Sequence, residues 1–336
     1  MAEGAALDTQ ALTGQRLGPY CSFNPVSRVQ IWQWCSAMGD ANPLYLGDTC
    51  RAIAPPAMMQ VWTMRDCNMQ YAPGSTDDPP YAIFDTLAEH GFPGNVAVSY
   101  DIRFHRYLQE GDRAHHYTTV VSITDLKQTA LGEGYFVTER VEYLDQDDNL
   151  FAEALITYFQ YRPAIDAAEP QTARSESTNE ASSPGDRSAL EQAPTETPAG
   201  DLKFADLSVD LALPELPIPI THKLIVGGAI ATQDFIDVHH NAPAARAAAM
   251  PDIFMNILTT CGLCARYLSD WAGPTSRLQE LSLKLLAPNV PGDTMVMQGR
   301  VAALDTAGGQ DRVKVDFAGK NGLGFHVTGA ATLRLN

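Results

Sequence analysis

Residues 253–268 are apolar on nearly every face. A helix with one side in water carries a polar stripe there, so a helix of this composition has to be wrapped by the rest of its domain. Asp252 stands where it would cap such a helix, and Gly273-Pro274 supplies a stop beyond its end. Four stretches of strand character follow, near 278–286, 294–304, 312–318 and 325–335. One buried helix followed by four antiparallel strands predicts an α+β domain in which a sheet curls around its helix.

The first half of the chain repeats this plan. Residues 29–38 read as an amphipathic helix ending at Gly39, 56–66 as a second helical candidate, and 96–107, 114–124, 134–144 and 150–161 as strands. Each half places a Gly-Asp turn before the second of its four strands, as Gly111-Asp112 and Gly292-Asp293, which marks a duplicated unit. Between the halves, 164–200 holds no aromatic residue and only Ile165 and Leu190 as branched aliphatics. Such a stretch buries too little apolar surface to offset its ordering entropy and reads as a flexible linker. The expected division is therefore 1–163, a linker at 164–200, and 201–336.

Composition narrows the partners. A net charge of -17 and a pI near 4.7 disfavour nucleic acid and anionic membrane, which both reward basic patches. No run of about 18 apolar residues occurs and the first twenty residues lack a signal-peptide pattern, so the expected location is the cytoplasm. The six cysteines then read as reduced thiols, and Cys261-x-x-Cys264, inside an apolar helical run, as packing rather than a metal or redox pair.

The chemistry-bearing residues precede the apolar helix. Asp234 and His239 stand five positions apart, and a carboxylate with an imidazole can take and deliver protons near neutral pH. The plainer alternative is that either residue caps the next element. In the first half, Gly39-Asp40-Ala41-Asn42-Pro43-Leu44-Tyr45 resembles the GDxNPxH pattern of the MaoC-like, (R)-specific enoyl-CoA hydratases, with Tyr45 in place of the His. In the second half Phe235, Ile236 and Asp237 replace x, Asn and Pro, while Asp and His keep the family spacing. The run ATQDFIDVHHN, with DIFMNILTTCGLCARYLSDWAGP after it, is similar to the small catalytic subunit of the heteromeric family members that hydrate a steroid side chain in cholesterol degradation. That likeness covers residues 213–335.

The resemblance implies a double hot-dog fold and a lyase that adds water to a 2-enoyl-CoA without a metal or redox cofactor. Asp234 and His239 take the catalytic positions. Asn256 falls where the family has a glycine whose backbone N–H binds the thioester oxygen, and Met255 where a His is usual. His240 and Asp237 read as supporting residues beside the pair. The first half is similar to the catalytically silent domain of the larger subunit, so both subunit types would be fused here, without that subunit's further carboxy-terminal domain. Tyr45, with an ordinary pKa near 10, is a poor proton shuttle at pH 7, which leaves Asp40 without a partner. A silent half is free to shape an acyl pocket, and Met58, Met59, Met64 and Met69 suit an irregular apolar ligand, although buried methionines are also ordinary core. A homodimer is expected, with a downstream aldolase as a possible partner. Competing readings are a hot-dog thioesterase, disfavoured because 253–268 contains no Asp or Glu, and a non-catalytic acyl-binding scaffold.

Overall fold

A computed structural model describes residues 9, 12–47, 51–129, 131–163, 201–248, 250–306 and 309–335. The expected linker at 164–200 lies outside them. The first half runs β1 (Arg16–Cys21), α1 (Arg28–Met38), α2 (Pro43–Leu46), α3 (Ala82–Glu89), β2 (Gly94–Phe104), β3 (Ala114–Ile123), β4 (Lys127–Thr129), β5 (Gly132–Asp145) and β6 (Leu150–Pro163). The second runs β7 (Ala212–Ile220), α4 (His222–Ala231), α5 (Ala242–Ala247), α6 (Ile257–Ala272), β8 (Arg277–Leu285), β9 (Asp293–Asp305), β10 (Arg312–Asn321) and β11 (Gly324–Arg334). Among the described residues no helix is long and apolar enough to cross a membrane.

The strands form one antiparallel sheet in the order β1-β3-β5-β6-β2-β8-β11-β10-β9-β7, with β4 beside β5. Read inward from its two ends, the order is the same in both halves. They join at β2 and β8, where Tyr100 faces Leu283, Ile102 faces Leu281, and Arg103 pairs with Glu280 at 3.3 Å. Duplication extends to single hydrogen bonds. Ser27 caps α1 and Thr221 caps α4, each hydroxyl accepting an N–H three residues on. Gly111 and Gly292 share a φ of 94°, and their N–H groups donate to Val26 and Ile220 at 2.9 and 2.8 Å. Two copies of one plan, sheet curled against helix and fused edge to edge, make this a double hot-dog fold.

The apolar helix is α6, and it is wrapped as its composition requires: Leu258, Cys261, Leu263, Cys264 and Leu268 are all buried. It begins at Asn256 rather than at Asp252. The Asn256 side chain accepts from the Thr259 N–H at 2.7 Å, whereas the Asp252 carboxylate accepts from the N–H of its neighbour Ile253 and faces His222 at 3.5 Å. Close approach explains two glycines around it. A Cβ on Gly262 would sit 2.7 Å from a Trp34 ring carbon on α1, and one on Gly228 would sit 2.4 Å from the Thr259 hydroxyl.

Several elements depart from expectation. The helical candidate at 56–66 is two single 3-10 turns, Pro56–Met58 and Val61–Thr63. Strands β1 and β7 carry no clear strand signal. Both contain proline, Pro19 in one and Pro214, Pro217 and Pro219 in the other, and both lie at the outer ends of the sheet, where a missing donor is tolerated. Helix α4 is masked by Gly227-Gly228, a pair of low helix propensity.

Candidate active site

The end of α4 delivers the first residue. Gln233 adopts a left-handed φ of 55°, turning the chain so that the Asp234 N–H donates back to Ala229 at 2.9 Å. The same bond, Asp40 N–H to Cys35 at 2.9 Å, closes α1 in the first half, where Gly39 takes the left-handed position with a φ of 66°. A 3-10 turn, Asp237–His239, then brings His239 back over Asp234, and both are buried, at 6% and 7% exposure. The His239 Nε2 lies 3.5 Å from Asp234 Oδ2.

Hydrogen bonding decides the tautomer of His239. Its Nδ1 is 2.8 Å from the Phe254 carbonyl oxygen, which can only accept, so Nδ1 carries the hydrogen and the neutral ring presents a lone pair at Nε2. Two acceptors, that lone pair and the Asp234 carboxylate, therefore face each other. Such a pair polarises a donor placed between them, which is what proton removal from water requires.

Asn256 completes the cluster by two routes. Its side-chain nitrogen donates to Asp234 Oδ2 at 3.0 Å and to the Thr232 hydroxyl at 2.8 Å, while its oxygen caps α6. Its backbone N–H, at the positive end of a sixteen-residue helix, has no acceptor among the described residues. The structure thus brings Asp234, His239 and Asn256 together. It does not bring in His240 or Asp237, which pair with each other at 3.8 Å on the surface, 41% and 70% exposed, outside the cavity described next. At Met255 the sulfur accepts from the buried Asn289 amide at 3.7 Å.

Asp234, His239 and Asn256 line a cavity of about 700 Å³, inside the range of small-molecule sites. Its other wall comes from the first half, including Phe84, Val141, Tyr143, Ile156 and Tyr158. Because the 3-10 turns replace a long helix, the inner face of β3, β5 and β6 is left open to this space. Met64 and Met69 reach it, whereas Met58 and Met59 are core. Asp40 and Tyr45, the matching motif pair, border a void of only about 10 Å³, room for about one water. Burial pushes the Asp40 carboxyl up to about 6, against the opposing pull of the Asn42 N–H that donates to it at 2.9 Å.

Sequence reasoning passes over Thr232, whose hydroxyl holds Asn256, and the polar residues His116, Thr118 and Glu139 on the cavity wall. A signal exists for Glu139: it interrupts the buried phase Val137, Val141, Tyr143 of a strand of period two.

Comparison with known proteins places this geometry. A sequence family described as "FAS1-like, dehydratase domain region" matches residues 11–154. The 3-oxo-4,17-pregnadiene-20-carboxyl-CoA hydratase beta subunit of Mycobacterium tuberculosis is 42% identical over 127 residues, 38% of this chain and 95% of the subunit. The alpha subunit of that hydratase is 33% identical over 153 residues, 44% of this chain and 48% of the subunit, so the chain spans about half of its length. Among solved structures, a MaoC-like dehydratase superposes with a TM-score of 0.70 at 19% identity, covering 97% of this chain and 99% of that one, a likeness of fold. With nearly a whole hydratase subunit matched at 42% identity on a double hot-dog fold, this chain belongs to the MaoC-like hydratase family.

Proposed function

We propose that the protein hydrates the Cα=Cβ double bond of a 2-enoyl-CoA whose acyl group is bulky and polycyclic, of the steroid side-chain type. The observation that carries the reading is the pair of facing acceptors, His239 Nε2 and the Asp234 carboxylate, at the cavity wall beside the start of α6. In this mechanism Nε2 takes a proton from water as its oxygen bonds to Cβ. The Asp234 carboxylate stabilises the resulting imidazolium, and the thioester oxygen, gaining charge as the enolate forms, receives the Asn256 backbone N–H. A proton returned from the pair to Cα completes the addition and restores the resting state. The names of the two hydratase-subunit relatives support a steroid-type acyl group, and the cavity volume suits one.

A thioesterase is the second reading. Helix α6 extends past the expected end and does include a carboxylate, Asp270, but this is held by Arg266 at 3.1 Å and does not line the cavity. A panel of enoyl-CoA substrates from crotonyl to steroidal separates the two. Loss of enoyl-thioester absorbance without free thiol is the expected result, with kcat/KM much higher for the steroidal substrate because remote binding energy is used at the transition state. Release of free CoA supports the thioesterase, and equal kcat/KM values point to a general fatty-acyl hydratase. The same reading takes the protein as a homodimer; sizing with light scattering tests it, and a monomeric active enzyme refutes it.

Asn256 gives a test of the site's construction. Asn256→Ala removes the α6 cap and the donor to Asp234, so stability should fall by about 0.5–2 kcal/mol and kcat by about tenfold, the worth of one hydrogen bond near 1.4 kcal/mol. Asn256→Asp keeps a good cap but sets a second carboxylate against Asp234, which should raise the pKa of the pair and move the acid limb of the pH–rate profile upward. An unmoved profile in a stable Asn256→Asp variant would show that the Asn256 side chain does not tune Asp234.

A further inference from the structure

The far wall of the cavity carries polar atoms that the hydration chemistry does not use. Glu139 on β5 is 3% exposed, Thr118 on β3 is 4% exposed, and both line the cavity. The Glu139 Oε1, the Thr118 hydroxyl and the His116 Nδ1 are all buried without a hydrogen-bond partner among the described residues. Orphaned polar atoms of this kind are costly to bury and rare in folded proteins. Three of them on adjacent strands facing one ligand-sized space need a common explanation.

We propose that Glu139, Thr118 and His116 form a recognition point for a neutral oxygen function, a ketone or hydroxyl, at the end of the acyl group remote from the thioester. The inference rests on the reading of this cavity as the acyl pocket. Continuity of the space supports it: Asp234 and His239, Tyr158, and the polar trio Glu139, Thr118 and His116 all line one cavity. The surroundings choose a neutral group. Burial alone pushes the Glu139 carboxyl up to about 8, so near neutral pH it holds a proton to donate, and burial pushes His116 down to about 3, leaving it uncharged. Among the described residues the cation that lines the cavity, Arg65, lies over the Tyr71 and Tyr81 rings, 6.0 and 5.1 Å from their centroids, and none of the orphaned trio carries charge for an anion to pair with. Tyr71, Tyr81 and Tyr143, also on the wall, complete a lining of rings around one polar patch. A ketone oxygen accepts from the Glu139 carboxyl and the Thr118 hydroxyl; a hydroxyl accepts from one and donates to the other.

The test compares two saturated, unreactive polycyclic acyl-CoA thioesters that differ only in a distal ketone, titrated by calorimetry into the full-length wild type, Glu139→Leu, Glu139→Gln and Thr118→Val. The ketone compound should bind the wild type about 10- to 100-fold more tightly, since a site left with buried unpaired groups rejects the analogue that lacks their partner. That preference should collapse in Glu139→Leu and fall in Thr118→Val, with Glu139→Gln, which keeps a donor, intermediate. A wild type that binds both compounds equally, or neither, overturns the proposal, as does an unchanged preference in folded Glu139→Leu. Because the readout is binding, loss of the preference leaves the hydratase reading standing, and a protein that prefers the ketone yet hydrates nothing refutes that reading alone.

Discussion

Asp234→Asn and His239→Ala are each expected to lower the hydration rate by about 10²–10⁴-fold, the range for removal of a positioned acid or base. The geometry says why each should matter alone. His239 has its Nδ1 hydrogen committed to the Phe254 carbonyl, so only Nε2 can take a proton, and Asp234 Oδ2 is 3.5 Å from that atom to stabilise the charge that results. An amide at 234 keeps the shape but presents no charge and can turn a donor toward Nε2. Asp40→Asn, in the equivalent position of the other half, should leave hydration much closer to wild type. Its partner Tyr45 is buried with its hydroxyl pKa pushed well above the ordinary value, chiefly by desolvation, and the space between them admits no substrate. Any loss at Asp40 should follow the melting temperature. Rates from enoyl absorbance, paired with thermal melts, check both arms. If folded Asp40→Asn protein is as inactive as Asp234→Asn, the two halves have been given the wrong roles.

Arg266→Ala should destabilise the fold more than any of the substitutions above, by about 3–5 kcal/mol, because it strands buried charge. Arg266 is 3% exposed on α6; its guanidinium donates to Asp270 at 3.1 Å and to the Met38 carbonyl, the last of α1, at 2.7 Å. It therefore ties the central helix of one half to the first helix of the other. Removing it leaves the partly buried Asp270 without its main partner, the Met38 carbonyl short of a donor, and Asp40 without a cation that draws its pKa down. The pH dependence has a definite sign. Asp40 and Asp270 already have raised pKa values from burial, and losing Arg266 raises them further, so the folded mutant binds more protons than its unfolded chain. Its stability then falls as pH rises through the ordinary carboxylate range toward neutrality, and the deficit is smallest in acid. Urea unfolding of wild type and mutant at pH 4 and pH 7 measures this. An equal deficit at both values would mean that the packing of the Arg266 stem, not its charge, holds the helices together.

Most strands of each half, the wrapped helix and the proximity of Asp234 to His239 are legible in the sequence because each is a local pattern. Period-two alternation, clearest in β5 and β10, follows from one buried face. The largely apolar composition of α6 follows from burial on most of its faces, and the Asp234–His239 spacing is carried within one short turn. What stays hidden depends on atoms far apart in the chain. Whether the prolines of β1 and β7 break a strand or sit on an outer edge depends on the order of the sheet, and local propensity cannot report it. Asn256 rather than Asp252 caps α6 because its amide also reaches Thr232 and Asp234, 24 and 22 residues away. The tautomer of His239 is set by a carbonyl fifteen residues on. Asp40 and Asp234 sit in matching turns, yet one borders about 10 Å³ and the other about 700 Å³. The larger space opens where two short turns, rather than a helix, run past one face of the first half's sheet. Local sequence sets which residues are buried, but the volume left between two buried surfaces is a property of how far apart distant segments are held, and only the tertiary structure decides that.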